Sequence, residues 1–190
     1  MLLYCIIFMK NILAIGVVLM LITFGNTGNA QILQPVSEQS TIEFRIKNMG
    51  INTGGTLSGL RGTILFDEAK LSVSYCKVTV DVTSIDTRSK GRDNHIKKSD
   101  FLDVLAFPVI SFQSTQITSL GNQSGYRMQG MLTIKGVTKP ISFPFQAKKE
   151  KSGYRFTGEI QLNRLDFGVG ESSWILSSPV SVQLNVLAVQ

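Results

Sequence analysis

Eight separate stretches of this chain alternate apolar and polar residues one by one, and that period of two constrains the fold more than any other feature. Ile42, Phe44 and Ile46 share one face of the first stretch, against Thr41, Glu43, Arg45 and Lys47 on the other. Leu60, Gly62, Ile64 and Phe66 form a second apolar face, and Cys76, Val78, Val80 and Val82 a third. Further along come Ile110, Phe112 and Ser114, then Tyr126, Met128, Gly130, Leu132 and Ile134, then Ile141, Phe143, Phe145 and Ala147. Tyr154, Phe156, Gly158, Ile160 and Leu162 make a seventh face, and Val180, Val182, Leu184, Val186 and Ala188 the last. Each stretch reads as a β-strand with one side turned to a core.

Between them lie turn residues: Gly54-Gly55, Gly121 to Gly125, Lys135-Gly136 and Ser152-Gly153. Short turns make antiparallel neighbours, whereas a parallel sheet needs helical crossovers that this sequence lacks. Eight one-sided strands bury their faces either as a sandwich or as a closed barrel. The stretches run to roughly 8–11 residues, longer than the usual ~5–6, and long up-and-down strands favour the barrel. The expected fold is therefore all-β, an eight-stranded antiparallel barrel. Such a barrel is either filled by its own side chains or wide enough for one small ligand. Inward glycines (Gly62, Gly130, Gly158) either ease a sharp coil or leave open space, so both readings stand at this point. No charged residue falls clearly on the inward register, so the contents are expected to be apolar.

One segment breaks the pattern. Ser84 to Asp103 (SIDTRSKGRDNHIKKSDFLD) gathers the chain's single histidine with five Lys/Arg and four Asp. Arg92 to Val104 is expected to form one or two helical turns, with an N-cap at Ser99-Asp100 and a stop at Pro108. Phe101, Leu102 and Val104 would be its apolar side, a lid over one mouth. A catalytic triad would have to use His95 with Ser84 or Ser89 and Asp86 or Asp93, yet no nucleophile-elbow pattern surrounds any serine. One His and one apolar-facing Cys do not supply a zinc set, and the carboxylates are interleaved with cations. The favoured reading is a mouth clamp of Asp86, Arg92, Asp93, His95 and Asp100. Asp93 and Asp100 would cap amides, Arg92 would pair with a carboxylate, and His95 would serve as a hydrogen-bonded strut. No catalytic residue, metal or cofactor is expected.

The N-terminus has a different character. Met9-Lys10-Asn11 is a short basic start, Ile12 to Phe24 an apolar run of thirteen residues, and Gly28-Asn29-Ala30 a set of small residues. That is the layout of a cleavable secretory signal, shorter than the ~20 residues of a membrane span. The apolar residues before Met9 stand where a basic region belongs, so translation is expected to begin at Met9. Cleavage after Ala30 leaves one domain at residues 31–190 and lowers the formal net charge from +6 to +5, since Lys10 is the only charge removed. The remaining cations are scattered along strands and loops, unlike a nucleic-acid footprint. Cys5 leaves with the signal, so Cys76 stands alone as a small hydrophobe. An exported chain without a disulfide points to a bacterial periplasm or secreted fluid.

Several ordered fragments resemble a known family. They are Ser40-Thr-Ile-Glu-Phe44, Gly59-Leu-Arg-Gly62, Ile64-Leu-Phe-Asp67, Ser84-Ile-Asp-Thr87, Arg92-Asp-Asn-His95, Ser99-Asp-Phe-Leu-Asp103, Phe107-Pro-Val-Ile-Ser-Phe112, Gly130-Met-Leu-Thr-Ile-Lys-Gly136 and Arg164-Leu-Asp-Phe-Gly168. Together they are similar to the YceI family from about Val36 to Ala188. The resemblance implies an extended, lipocalin-like eight-stranded barrel around an elongated apolar cavity, a long isoprenoid or other amphiphilic lipid as ligand, and export. Leu102 and Leu60 depart from aromatics common in that family, which implies a looser lid and more room inside. The cavity lining expected on this reading is Phe44, Ile46, Leu60, Ile64, Phe66, Val80, Phe112, Met128, Leu132, Phe143, Phe145, Phe156 and Ile160, with Phe101 and Leu102 at the mouth. Transient contact with a membrane would follow. The alternatives are a solid structural or stress-response barrel and a lipid-modifying enzyme using His95.

Overall fold

The computed structural model describes residues 31–121 and 125–190; the expected signal segment lies outside the described residues. Nine strands form one sheet: β1 (Gln31–Pro35), β2 (Thr41–Asn48), β3 (Ile51–Phe66), β4 (Tyr75–Asp86), β5 (Val109–Ser119), β6 (Tyr126–Ile134), β7 (Val137–Glu150), β8 (Gly153–Asn163) and β9 (Leu176–Val189). Every pairing is antiparallel, and the order β3-β2-β9-β8-β7-β6-β5-β4 closes on itself through β3–β4. Closure removes free strand edges. The expected barrel is present.

Nine strands make eight staves because β1 and β2 share one slot between β3 and β9. β1 pairs Gln31 to Leu33 with Phe66 to Ile64, and Gln34 and Pro35 with Val189 and Ala188. β2 takes over higher up, against Ile51 to Leu57 of β3 and Leu176 to Asn185 of β9. Where the stave breaks, side chains replace the missing ladder bonds. Ser37 Oγ accepts from the amides of Gly59 (3.0 Å) and Leu60 (3.2 Å), and Ser40 Oγ accepts from the Leu187 amide (3.1 Å) while donating to the Val36 carbonyl (2.7 Å). β1 lies outside the eight alternating stretches because five residues ending in proline carry too little period to read.

The first hairpin turns one step earlier than the glycines suggest. Met49 and Gly50 both have positive φ (51° and 77°), as a two-residue hairpin turn requires, while Gly54 and Gly55 lie inside β3. They are there for close approach. A Cβ on Gly54 would sit 2.0 Å from the Phe44 carbonyl oxygen, and one on Gly55 2.4 Å from that of Asp86. β3 is thus pressed between its two neighbours at this level. Two further irregularities set the inward register. β4 slips against β3 so that Thr56 faces Asp86 but Ser58 faces Asp81, leaving Val82 to Ile85 bowed out; Ser84 Oγ bonds the Ser58 amide across the gap (2.8 Å). A bulge between Ser114 and Gln116 of β5 then turns Ile117 inward, where it is buried.

The two ends of the barrel differ. At one, Phe66 meets Tyr126, Tyr154 and Phe156 edge to face at centroid distances of 5.2, 5.2 and 5.4 Å, with the fully buried Leu33 and Ala188 beside them. That end is plugged. At the other lie the β2–β3 hairpin, the long β4–β5 connection, the β6–β7 turn and the β8–β9 connection. The β4–β5 connection holds the one α-helix among the described residues, α1 (Lys90–Ile96).

The glycines separate close approach from turn chemistry in a direct test. Gly54→Ala is expected to destabilise the barrel by about 1–3 kcal/mol through forced backbone shifts. Gly91→Ala, at a helical position with nothing within 4 Å of a new Cβ, is expected to stabilise by up to about 1 kcal/mol. Urea unfolding measures both, and equal midpoints for the two variants would refute the close-approach account.

Candidate functional site

The inward faces enclose a cavity in two adjoining chambers. The upper one, about 350 Å³, lies beneath α1 and the β2–β3 hairpin; the lower, about 180 Å³, ends on the aromatic plug. Leu57, Ile110, Ile134, Leu162 and Val182 line both and form the waist between them. The exposed Arg92 and His95 belong to the upper wall, so that chamber reaches the surface there. Apolar strand faces supply most of the lower wall, while the upper wall also takes Thr87, Ile96, Phe101, Leu102, Phe167 and Val169 from the connections. The glycines expected inside divide by role. Gly158 lines the lower chamber, whereas a Cβ on Gly130 would lie 2.5 Å from the Phe112 ring, so that ring already fills the space above Gly130. Gly62 has φ +139° and lies against the β4 backbone, with its virtual Cβ 2.1 Å from the Lys77 carbonyl oxygen.

The structure places all fifteen residues expected to line the interior in the wall of one chamber or the other. Phe44, Ile46, Phe101 and Leu102 belong to the upper, and Leu60, Ile64, Phe66, Val80, Phe112, Met128, Leu132, Phe143, Phe145, Phe156 and Ile160 to the lower. Cys76 also lines the lower chamber, where burial pushes its thiol up to about 12 and leaves it protonated and inert. Ile110, Ile134, Leu162 and Val182 of the waist, with Val180, sit on the alternating faces and were legible as lining from their register; Leu57, out of step with Leu60 across the slip in β3, was not. Arg164, Phe167 and Val169 were not.

The mouth differs from the expected clamp in most details. The helix begins at Lys90, ahead of the expected start, and Ser99 to Phe107 is a run of turns in which the Phe101 amide bonds Lys98 O (3.0 Å) and the Leu102 amide Ile96 O (3.0 Å). Asp93 does bind an amide, but backwards along the chain. Its Oδ1 accepts from both the Thr87 amide (2.9 Å) and the Thr87 hydroxyl (2.6 Å), tying α1 to the end of β4. Asp86 Oδ1 accepts from the Arg88 amide (2.7 Å). Arg92 pairs with no carboxylate; its Nη1 donates to Thr53 Oγ1 (2.6 Å). Asp100 acts through its backbone, whose carbonyl receives the Gly170 amide (2.9 Å). His95 is exposed and makes no side-chain hydrogen bond among the described residues; its ring instead packs on Phe101 at 4.7 Å. Phe101 in turn rests against Gly170, where a Cβ would approach its ring to 2.9 Å. The lid is held by ring packing and backbone bonds more than by charge.

A charged group does reach the chamber wall, contrary to the inward register read from the strands. Arg164, only 6 % exposed, lies in a 3₁₀ turn (Arg164–Phe167) after β8. Its guanidinium donates to four backbone carbonyls: Ser177 (3.0 Å), Val169 (2.7 Å), Glu171 (2.8 Å) and Leu176 (3.1 Å). Burial lowers its pKa from the ordinary arginine value, yet the group stays charged. The fork thus gathers both limbs of the β8–β9 connection and keeps its polar atoms turned away from the cavity. Among the described residues no set of three His, Cys, Asp or Glu converges as a metal site would require.

These features define a closed, lipocalin-like antiparallel barrel with an apolar interior and a single lidded mouth. The chain belongs to the YceI family: the YceI-like domain matches residues 33–188. A UPF0312 protein of Pseudomonas aeruginosa is 34 % identical over 156 residues, 78 % of this chain and 81 % of the relative. Protein YceI of Salmonella heidelberg is 30 % identical over 193 aligned residues, covering 95 % and 98 %. Among solved structures, BcnA of Burkholderia cenocepacia superposes with a TM-score of 0.77 at 24 % identity, over 82 % of this chain and 99 % of that one. A polyisoprenoid-binding domain from Saccharophagus degradans, implicated in plant cell wall breakdown, superposes with a TM-score of 0.57 at 12 % identity, over 85 % and 99 %.

Two predictions test the mouth. Hydrogen bonds from Thr87 hold the Asp93 carboxyl below the usual carboxylate range, and the Thr83 hydroxyl, chiefly, does the same for Asp81 on the bowed part of β4. A depressed native pKa contributes stability above the unfolded value and loses it as pH falls through the folded value. Acidification from pH 5 toward pH 2 is therefore expected to destabilise the wild type more than Thr87→Val. Parallel urea midpoints against pH would refute this. Arg164→Lys keeps the charge but loses the fork, and is expected to destabilise by roughly 2 kcal/mol or more through unpaired buried carbonyls; an unchanged melting temperature would contradict that role.

Proposed function

We propose that this protein is an exported, non-enzymatic carrier or sequestering protein for a long apolar chain, an isoprenoid lipid in the first instance, held with its tail down the barrel. The observation that carries this reading is the apolar cavity in two adjoining chambers between lidded mouth and aromatic floor, whose Arg92, His95 and Arg164 all lie at the mouth end. The polyisoprenoid-binding domain that shares the fold supports it. So does the state of His95: a general base needs an orienting partner and a nucleophile in reach, and this ring has a phenylalanine. The secretory layout of residues 1–30 supports a periplasmic or secreted location.

The energetics suit a tail. Each buried methylene contributes roughly 0.8 kcal/mol, so about 15 give ~12 kcal/mol gross. Association subtracts several kcal/mol, leaving affinity on the order of micromolar or better. That driving force reads length and bulk, and it is nearly blind to chain identity.

Mass spectrometry of organic extracts from natively purified protein is expected to show a co-purified long-chain lipid. Titration with geraniol, farnesol and geranylgeraniol is expected to show affinity rising about tenfold or more per isoprene unit. Val182→Trp, which narrows the waist, is expected to flatten that rise while sparing geraniol. Absence of extracted lipid together with length-independent binding would remove the carrier reading. Loss of a lipid-directed turnover on His95→Ala alone would instead establish an enzyme.

A further inference from the structure

The end of the barrel that carries the mouth also carries an apolar knob that the cavity does not use. Met49 and Ile51, at the tip of the β2–β3 hairpin, are 70 % and 72 % exposed. Trp174, the chain's lone tryptophan, is 89 % exposed in the β8–β9 connection, and Ile175 beside it is 39 % exposed. The two connections are physically joined: the Met49 amide donates to the Ile175 carbonyl at 2.8 Å. None of the four residues lines either chamber, yet Asn48 and Leu176, their immediate chain neighbours, and Thr53, two residues past Ile51, line the upper one. The knob is therefore part of the rim.

We infer that this rim is a membrane-docking surface, and that Met49, Ile51, Trp174 and Ile175 insert into the interfacial layer of an anionic bilayer. Large apolar side chains clustered at two projecting loop tips are unfavourable in water. A tryptophan among them is the residue that settles best at the boundary of headgroups and acyl chains. The charges nearest the knob along its own two connections and the strand below are Lys47 on β2 and Arg92 bonded to Thr53, against Glu171; at the far side of the mouth Lys135, whose Nζ donates to the Gly168 carbonyl (2.9 Å), faces the segment that carries Asp166. Position supplies the remaining argument. A tail leaving a bilayer at this rim enters the upper chamber without crossing water, which a docking patch anywhere else on the barrel would not achieve. The inference rests on the carrier reading for its purpose but not for its test.

The test uses the chain from Gln31 to Gln190 with sedimenting vesicles of phosphatidylethanolamine and phosphatidylglycerol, and Trp174 as reporter. Co-sedimentation, a blue shift of Trp174 emission and its quenching by brominated acyl chains are expected with the wild type. Met49→Ser with Ile51→Ser is expected to reduce co-sedimentation about tenfold or more while leaving Trp174 in place to report. Trp174→Phe is expected to retain most binding and Trp174→Ser to lose it. Farnesol binding without vesicles is expected to be unchanged in all these variants, since none alters the cavity wall. Unchanged Trp174 emission with excess vesicles would overturn the inference, as would vesicle binding indifferent to the double variant. So would a concentration-dependent dimer that the double variant dissociates, which would assign the knob to a second copy. Failure of farnesol binding in the wild type would remove the carrier reading and leave the vesicle result standing on its own.

Discussion

Closure of the hydrogen-bonded ladder between β3 and β4 is the constraint on which the rest of the structure depends. A sheet closed on itself has no edges, so its backbone polar groups are satisfied without a packed centre. The inward side chains are then free to leave space. Closure is hardest at β3, the 16-residue strand that must follow β2 on one side and β4 on the other. The chain meets this with residues that carry no Cβ or a short hydroxyl. Gly54 and Gly55 allow the backbones to approach, Gly62 bends the strand, and Ser37, Ser40 and Ser84 bond amides where the ladder slips. These positions look like turn chemistry in the sequence and prove to be sheet chemistry in space.

That distinction explains how much could be read beforehand. The eight apolar faces survive almost residue for residue, because a period of two is imposed on every strand by the pleat and by a wall wet on one side only. The thirteen strand residues read as lining follow from that alternation, and so would Ile110, Ile134, Leu162, Val180 and Val182; Phe101 and Leu102 follow instead from the apolar side of the lid segment. Alternation says nothing where the chain leaves the sheet. Arg164 enters the wall from a 3₁₀ turn, and its partners are carbonyls spread from Val169 to Ser177, which have no residue identity to recognise. Ile117 was hidden by a single extra residue in β5, and β1 by its brevity.

The polar segment around His95 shows a different limit. Its composition correctly marks the lidded mouth, but charges close in sequence do not pair as composition suggests. Asp93 chooses the hydroxyl and amide of Thr87, a neighbour held at the end of β4, over the cations on its own helix. Arg92 reaches across to Thr53, and His95 packs its tilted ring on Phe101. Neutral partners on the rigid wall win because exposed ion pairs between flexible side chains gain little in water. The lid is thereby fastened to the barrel at a few points, with its apolar residues left to contact one another and the chamber.

A barrel arranged in this way is less stable than it would be if filled. Residual core volume destabilises by about 24 cal/mol per Å³, so an upper chamber of about 350 Å³ corresponds to a deficit on the order of 8 kcal/mol if it were sealed and dry. The opening at the mouth lessens that figure, since water can enter. Even a fraction of it is comparable to the few kcal/mol by which small domains are stable at all. The aromatic plug, the serine bonds at the broken stave and the Arg164 fork all reinforce the wall around the hollow; none of them narrows it. An apolar chain threaded into that space restores the dispersion contacts the wall lacks. It also stabilises the folded state in proportion to its affinity. Binding and folding would in this sense be one problem, because the surfaces that would face such a chain are the same ones that would otherwise have formed the core.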